Sequence, residues 1–383
     1  MWIRRLRTGE SGQYELLIVH LRGLVDEWLI SNSIIQKATE LGQKSSGAHE
    51  AFRDLRDELL TVTSIKVVTE ADELVTQIAA GKCGVLVDGI DNGLICTVPG
   101  GQRRPVEDPI SEPVIRGPRE GFSESIDTNL SLLRRRIKDP GLRFEKQEVG
   151  RISRTEIAVA YITGTANEKT VQEVRQRLNR IDIDFVQESG QIEELIEDSP
   201  LSIFPSIFRT ERADRVAQAL AEGRVAILTD GTPFVLVVPS DLPMFLSSAE
   251  DFYERFYIAS FIRLLRILSL FISLTLPSLY VAILTFHHEM LPTKLLFSIA
   301  AQRDGIPFPA IVEAVMMELV FEVLREAGVR LPRMIGPAVS IVGALVLGEA
   351  AIRAGLVSPA MVMVVALTAV ASFATPAFSL AIS

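Results

Sequence analysis

Twenty consecutive residues without a charged side chain, Ile267 to Phe286, follow about 250 residues of ordinary soluble composition. At about 1.5 Å of rise per residue a helix of that length spans roughly 30 Å, the thickness of a bilayer's hydrocarbon layer. The chain must therefore fold in two solvents. Charge divides at the same border. Nine Lys plus Arg and nine Asp plus Glu lie from Asp251 onward, which leaves 30 basic against 39 acidic residues before it and places the net charge of −9 on the N-terminal part. That sign, with no basic stripe interleaved with aromatics, argues against nucleic acid as a partner.

Arg4, Arg5 and Arg7 resemble the start of an export signal, but the next apolar stretch, Leu16 to Val19, is too short for one. The expectation is a cytoplasmic N-terminal region. In that compartment Cys83 and Cys96 read as buried strand thiols rather than a bridge.

The soluble part repeats itself. Ala71 to Gly89 (ADELVTQIAAGKCGVLVDG) aligns without gaps with Ala213 to Gly231 (ADRVAQALAEGRVAILTDG), and both read as helix, Gly stop, strand, turn. At nearly the same offset Glu15 to Leu21 matches Glu156 to Ile162, which predicts two related α/β subdomains. Pro99 to Phe122, rich in Pro, Gly and Arg, reads as the linker between them. A helix is predicted from about Ser125 to Lys138; its last turn carries Arg134, Arg135 and Arg136, as a solvated helix end favoured by the dipole or as a patch for lipid headgroups or a neighbouring subunit. The predicted fold is an α/β duplicated N-terminal soluble domain followed by an α-helical transmembrane domain. Its parts are a first subdomain with linker at 1–122, a second at 123–245 and membrane helices at 246–383.

Chemistry-bearing motifs point away from an enzyme. His287, His288 and Glu289 lack the second histidine at helical spacing that a zinc protease needs, and Pro292 interrupts the turn. Asp88-Gly89 and Asp230-Gly231 read as hairpin turns. No P-loop or dinucleotide fingerprint occurs, so no catalytic residue, cofactor or metal ligand is assigned.

Four segments are candidate membrane helices: Ile258 to Phe286 with Pro277 inside, Ala310 to Ala327, Met334 to Ile352 and Val357 to Ile382. If all cross, Arg325, Arg330 and Arg333 share a side with Arg255, Arg263 and Arg266, and the N-terminal domain faces the cytoplasm. Gly336, Ser340, Ala344 and Gly348 recur every fourth residue as a close-packing face. Glu318 and Glu322 share a helix face, with Arg325 beyond; an ion path, an ion pair and an interfacial helix are all open readings. In the last segment Met361, Val365, Thr368 and Ser372 form a stripe bordered by Val362, a candidate pore or gate whose hydroxyls could instead bond back to their own helix.

Several long strings together resemble the A subunit of the bacterial spore germinant receptors, the GerA-type spore germination proteins. They are EPVIRGPREGF (Glu112 to Phe122), DTNLSLLRRRIK (Asp127 to Lys138), GRVAILTDGTPFVLVVP (Gly223 to Pro239), SLYVAILTFHHEMLP (Ser278 to Pro292), LREAGVRLPR (Leu324 to Arg333) and SIVGALVLGEAAIRAGLVSP (Ser340 to Pro359). The resemblance implies an integral protein of the inner spore membrane with its N-terminal domain toward the spore core. It also implies assembly with a transporter-like B subunit and a lipoprotein C subunit, and a homo-oligomeric ring in membrane lipid that acts as a nutrient-gated ion channel. The family pattern continues through further hydrophobic sequence beyond the point that matches Ser383, so a C-terminally short membrane domain is expected. A secondary transporter, or a membrane-anchored signalling protein without channel activity, is the alternative; no inverted repeat supports the former.

Overall fold

The computed structural model describes residues 2–8, 14–39, 47–60, 62, 64–98, 100, 109, 112–202, 204–330, 346–374 and 376. They fall into two compact units, Met1–Asp241 and Leu242–Ser383.

The first unit contains two five-stranded antiparallel sheets. One has strands β1 (Trp2–Thr8), β2 (Tyr14–His20), β3 (Ile65–Val68), β4 (Cys83–Val87) and β5 (Gly93–Cys96), ordered β1-β2-β4-β5-β3. The other has β6 (Leu142–Val149), β7 (Thr155–Ile162), β8 (Phe208–Thr210), β9 (Val225–Thr229) and β10 (Val235–Val238), ordered β6-β7-β9-β10-β8. Strand for strand the orders are the same, so the repeated string is one α/β pattern used twice. The strands β2 and β7 are mostly buried, whereas the edge strand β1 is mostly exposed and the edge strand β6 is partly exposed along its middle. Exposed arginines at 4, 5 and 7 give β1 an edge that resists pairing with other chains.

Each sheet is covered by helices on both faces. Against one face of the first sheet lie α1 (residues 27–39, with a π-helical stretch at Ile30–Ile35) and α2 (residues 48–59), which bury Ile30, Ile34, Ala38, Ala51, Phe52 and Leu55 on Leu16, Val85 and Leu94. The opposite face, with Val19, Val68 and Ile95, takes Leu74 and Ile78 of α3 (Ala71–Ala79). In the second copy α5 (Glu168–Asn179) and α6 (Ser189–Ile196) supply Val171, Val174, Leu178, Ile192 and Ile196 to one face. There α7 (Ala213–Ala221), the counterpart of α3, packs on β7, β9 and β10 and shares its side with α4 (Ile126–Arg136). The helix of each repeat stops at a glycine with φ near +90°, Gly81 at 88° and Gly223 at 89°, a conformation that closes a helix C-terminus and penalises any side chain.

Helix α4 has no counterpart among the described residues of the first copy. Asp230 Oδ1 accepts from the Ile126 amide at 3.0 Å and the Gly231 amide donates to Glu124 O at 2.7 Å, so the second Asp-Gly turn also caps α4. The side chains of Leu130, Ser131 and Arg134 line a cleft of about 1010 Å³ whose other wall is Leu21, Gly23, Ile78 and Ala79 of the first copy. Arg134 lies partly within packing: it donates to Leu142 O at 2.7 Å and stacks 5.0 Å above the Phe144 ring. Burial, with Arg143 nearby, pulls its pKa down to about 10. Arg136 pairs with Glu120 at 2.9 Å, so two of the three basic residues closing α4 are engaged within the unit.

Part of the stretch read as a linker is fastened rather than free. Arg212, 1% exposed, forms a two-point pair with Asp214 (3.0 and 2.7 Å) and donates to Glu112 O at 3.1 Å and Pro118 O at 2.8 Å. Thr210 Oγ1 donates to Glu112 Oε2 at 2.9 Å, and the Phe122 amide bonds to Glu211 O at 2.7 Å. The Glu112 carboxyl is pushed up from its ordinary range by burial, helped by Asp214 and opposed by Arg215, Thr210 and Arg212. Cys83 and Cys96 face each other across β4 and β5 as free buried thiols, each pushed up to about 12 by burial. At neutral pH they are thiols, not nucleophiles.

Breaking the Arg212 pair on one side leaves a carboxylate without its counter-charge in a dry site. Arg212→Ala is expected to destabilise the soluble unit by about 3–5 kcal/mol, and Arg212→Met combined with Asp214→Leu to recover most of the loss. Urea unfolding of residues 1–241 reads both; equal destabilisation by the single and the double change would contradict this assignment.

Candidate functional site in the helical unit

The second unit opens with a short helix, α8 (Leu242–Leu246), and a 3-10 turn, Ala249–Phe252, that folds back on the start of α9 (Phe256–Phe286). Ser248 and Asp251 form a capping box, and the Asp251 side chain, 2% exposed, accepts from Arg266 at 2.7 and 2.8 Å and pairs with Arg263 at 3.4 Å. The two arginines at the start of the apolar run are thus tied to a carboxylate of the same unit. Among the described residues α9 is the one helix long and apolar enough to cross a membrane, with a mean hydropathy of 2.2 and none of that window buried. That exposure suits lipid rather than a soluble core. Pro277 lies within it.

Three more helices follow: α10 (Thr293–Arg303), α11 (Ala310–Arg330) and α12 (Pro359–Phe373), with a further helical stretch at residues 346–353. Ala314, Met361 and Val365 form a buried cluster with Tyr280, Val281, Met317 and Phe321 packed around it. Of the stripe on α12, Met361, Val365 and Thr368 are buried and Ser372 is half-buried. Thr368 Oγ1 donates to Val364 O at 2.9 Å and Ser372 Oγ to Ala369 O at 2.8 Å, so both hydroxyls bond back to their own helix. Val362 is half-buried and faces Gly348, where an added Cβ would lie 3.7 Å from Val362 Cγ1. Gly336, Ser340 and Ala344 lie outside the described residues.

The acidic pair on α11 separates. Glu322 is bound to Arg325, whose guanidinium also lies 5.8 Å from the Phe321 ring centroid. Glu318 is half-buried and one carboxylate oxygen is enclosed with no hydrogen-bond partner among the described residues. The deepest charge is a residue that amphipathic reading passed over. Glu313, 0% exposed, stands in the first turn of α11, paired with Arg303 of α10 at 2.9 Å, while its Oε2 accepts from the Ser358 amide at 2.9 Å. Ser358 is itself fully buried, and its Oγ caps α12 by accepting from Met361 N at 3.3 Å. The Tyr280 hydroxyl from α9 is enclosed at the same place. The Ser-Pro at the start of α12 is a helix-start signal visible in sequence; its link to a carboxylate 45 residues earlier is not. His287 and His288 flank a short turn, and no group of three metal-ligating side chains occurs among the described residues.

Duplicated α/β sheets are thus followed by an apolar helix long enough to span a bilayer and by helices holding a buried charge. The chain belongs to the family of Bacillus/Clostridium GerA spore germination proteins, whose pattern it matches over residues 1–383. Spore germination protein KA of Bacillus subtilis (strain 168) is 50% identical over 381 residues, covering 100% of this chain and 70% of that protein. The uncharacterized membrane protein YfkQ of the same organism is 45% identical (96% and 71%), and spore germination protein GerLA of Bacillus cereus 39% identical (96% and 74%). A crystal structure of the N-terminal domain of the A subunit of the Bacillus megaterium spore germinant receptor GerK3 is similar at 34% identity and a TM-score of 0.49, covering 63% of this chain and 88% of that one.

The contact at Gly348 sets a size limit. A single methyl there meets Val362 at ordinary contact distance, so Gly348→Ala is expected to be neutral or stabilising, whereas Gly348→Leu overpacks and costs about 1–3 kcal/mol. Thermal unfolding of the full chain in detergent distinguishes them, and equal behaviour of the two variants would show that this face is open.

Proposed function

We propose that this chain is a membrane subunit of a spore nutrient-germinant receptor, and that copies of it assemble in the inner spore membrane into a nutrient-gated ion channel. The observation that carries the receptor reading is the family match over the whole chain, with 50% identity to a spore germination protein. Family resemblance supplies the partners, a transporter-like B subunit and a lipoprotein C subunit. Arg255, Arg263 and Arg266 at the start of α9 and Arg325 and Arg330 at the end of α11 favour an orientation with the N-terminal unit on the core side.

The channel reading rests on α12. Beyond the residues buried within the unit, Val365 among them, it presents Met363, Leu367 and Val370, at 73%, 50% and 67% exposure, with half-buried Val362 beside them. Rings of such side chains in an oligomer close a narrow path by dewetting. Shortening them widens the path and lets it wet. In an otherwise complete receptor, Val362→Ala or Leu367→Ala is therefore expected to release ions from spores or liposomes without nutrient, at protein levels equal to wild type. Wild-type tightness in both variants would remove this helix as the gate and turn attention to Glu318.

A further inference from the structure

A buried carboxylate among apolar helices is costly unless fully paired, and where one persists its partners show what it is for. Glu313 divides its two oxygens between different segments. Oε1 lies 2.9 Å from the Arg303 guanidinium at the end of α10 as an ion pair outside hydrogen-bond geometry, and Oε2 takes the backbone N–H of Ser358 at 2.9 Å. The second contact is the unusual one. The amides at a helix start have no partner within the helix, and a negative charge is favoured there. Ser358 spends its own hydroxyl on Met361 N, so the N-cap amide is left for Glu313. Both residues are 0% exposed, so water does not compete for either group.

The consequence reaches Val362. Its amide bonds to Ser358 O at 3.2 Å, one helical turn from the latch, and a helix moves as a rigid rod over that distance. We propose that Glu313 is a positioning residue of the gate: by holding the N-cap of α12 against α10 and α11 it keeps Val362 in its closed packing, and release of the Ser358 contact frees α12 to shift. The proposal rests on the channel reading above. It assigns the control of α12 to a side chain that lines no path.

A latch that stabilises the closed state makes a signature that ordinary structural damage does not. Losing it shifts the population toward the open state, so less nutrient is needed for opening, whereas misfolding lowers protein level and maximal response. The test uses complete receptors in spores, with receptor level measured by immunoblot and potassium release recorded against a defined mixture of L-amino acids, purine nucleosides and glucose. Glu313→Gln keeps an acceptor for Ser358 N–H but drops the charge, and Glu313→Leu drops both; Val362→Ala runs beside them. At equal level, Glu313→Leu is expected to lower the mixture concentration for half-maximal release by roughly tenfold or to release potassium without it, as loss of a charge-assisted hydrogen bond from the closed state would, with Glu313→Gln between it and wild type. If Val362→Ala leaks while both Glu313 variants keep the wild-type threshold, the latch is refuted and the channel reading stands. If all three are tight, α12 is not the gate and the latch falls with that reading. Should Glu313→Leu not accumulate, Glu313→Gln decides alone: a lowered threshold supports the latch and an unchanged or raised one refutes it.

Discussion

The arrangement of the helical unit depends on one carboxylate that has no access to solvent. Glu313 lies 2.9 Å from Arg303 through one oxygen and takes the amide at the start of α12 with the other. Two consecutive helices and the start of a third, 45 residues beyond Glu313, are therefore brought to one point, and the apolar contacts of Met361 and Val365 with α11 and α9 lie beside it. Hydrophobic packing alone would leave α12 free to rotate or slide, because its faces are nearly equivalent in apolar character. A directional, charge-assisted bond selects one register.

The soluble unit uses the same physics at a different place. There a fully buried arginine rather than a carboxylate organises the surroundings: Arg212, with Asp214, holds the carbonyls of Glu112 and Pro118 and so ties residues 112–122 to the second sheet. The duplication supplies two similar sheets, and the additions break their equivalence. Helix α4, capped by Asp230 in the second copy, lines the cleft toward the first, whereas the matching Asp88-Gly89 turn lies beside Ala48 at the start of α2. A repeated fold thus acquires one sided features through a few long-range polar contacts.

These contacts explain what could be read from sequence and what could not. The sheets were legible because their signals are local: the Gly81 and Gly223 helix stops, the Asp-Gly turns and the apolar strands recur at matched offsets. Helix α9 was legible because twenty uncharged residues leave few alternatives. Reading Pro99 to Phe122 as a linker from its composition was blind to Arg212, since nothing near Glu112 announces an arginine 100 residues away. On α12 the stripe from Met361 to Ser372 was correctly placed on one helix, yet spacing could not tell that Thr368 and Ser372 bond to their own backbone or that Val365 faces α11. In the sequence Glu313 is one of four glutamates between Ala310 and Ala327 (Glu313, Glu318, Glu322 and Glu326), and nothing local sets it apart. Burial singled it out, and burial is a property of the tertiary structure.

The central claim is that this chain conducts ions rather than carrying nutrient. Planar-bilayer recording of the complete purified receptor tests it directly, with the soluble nutrient mixture added to one side. Discrete current steps that appear with nutrient and are absent without it are the predicted result. Nutrient uptake into vesicles by the same preparation, with no conductance steps under any nutrient condition, would contradict the account.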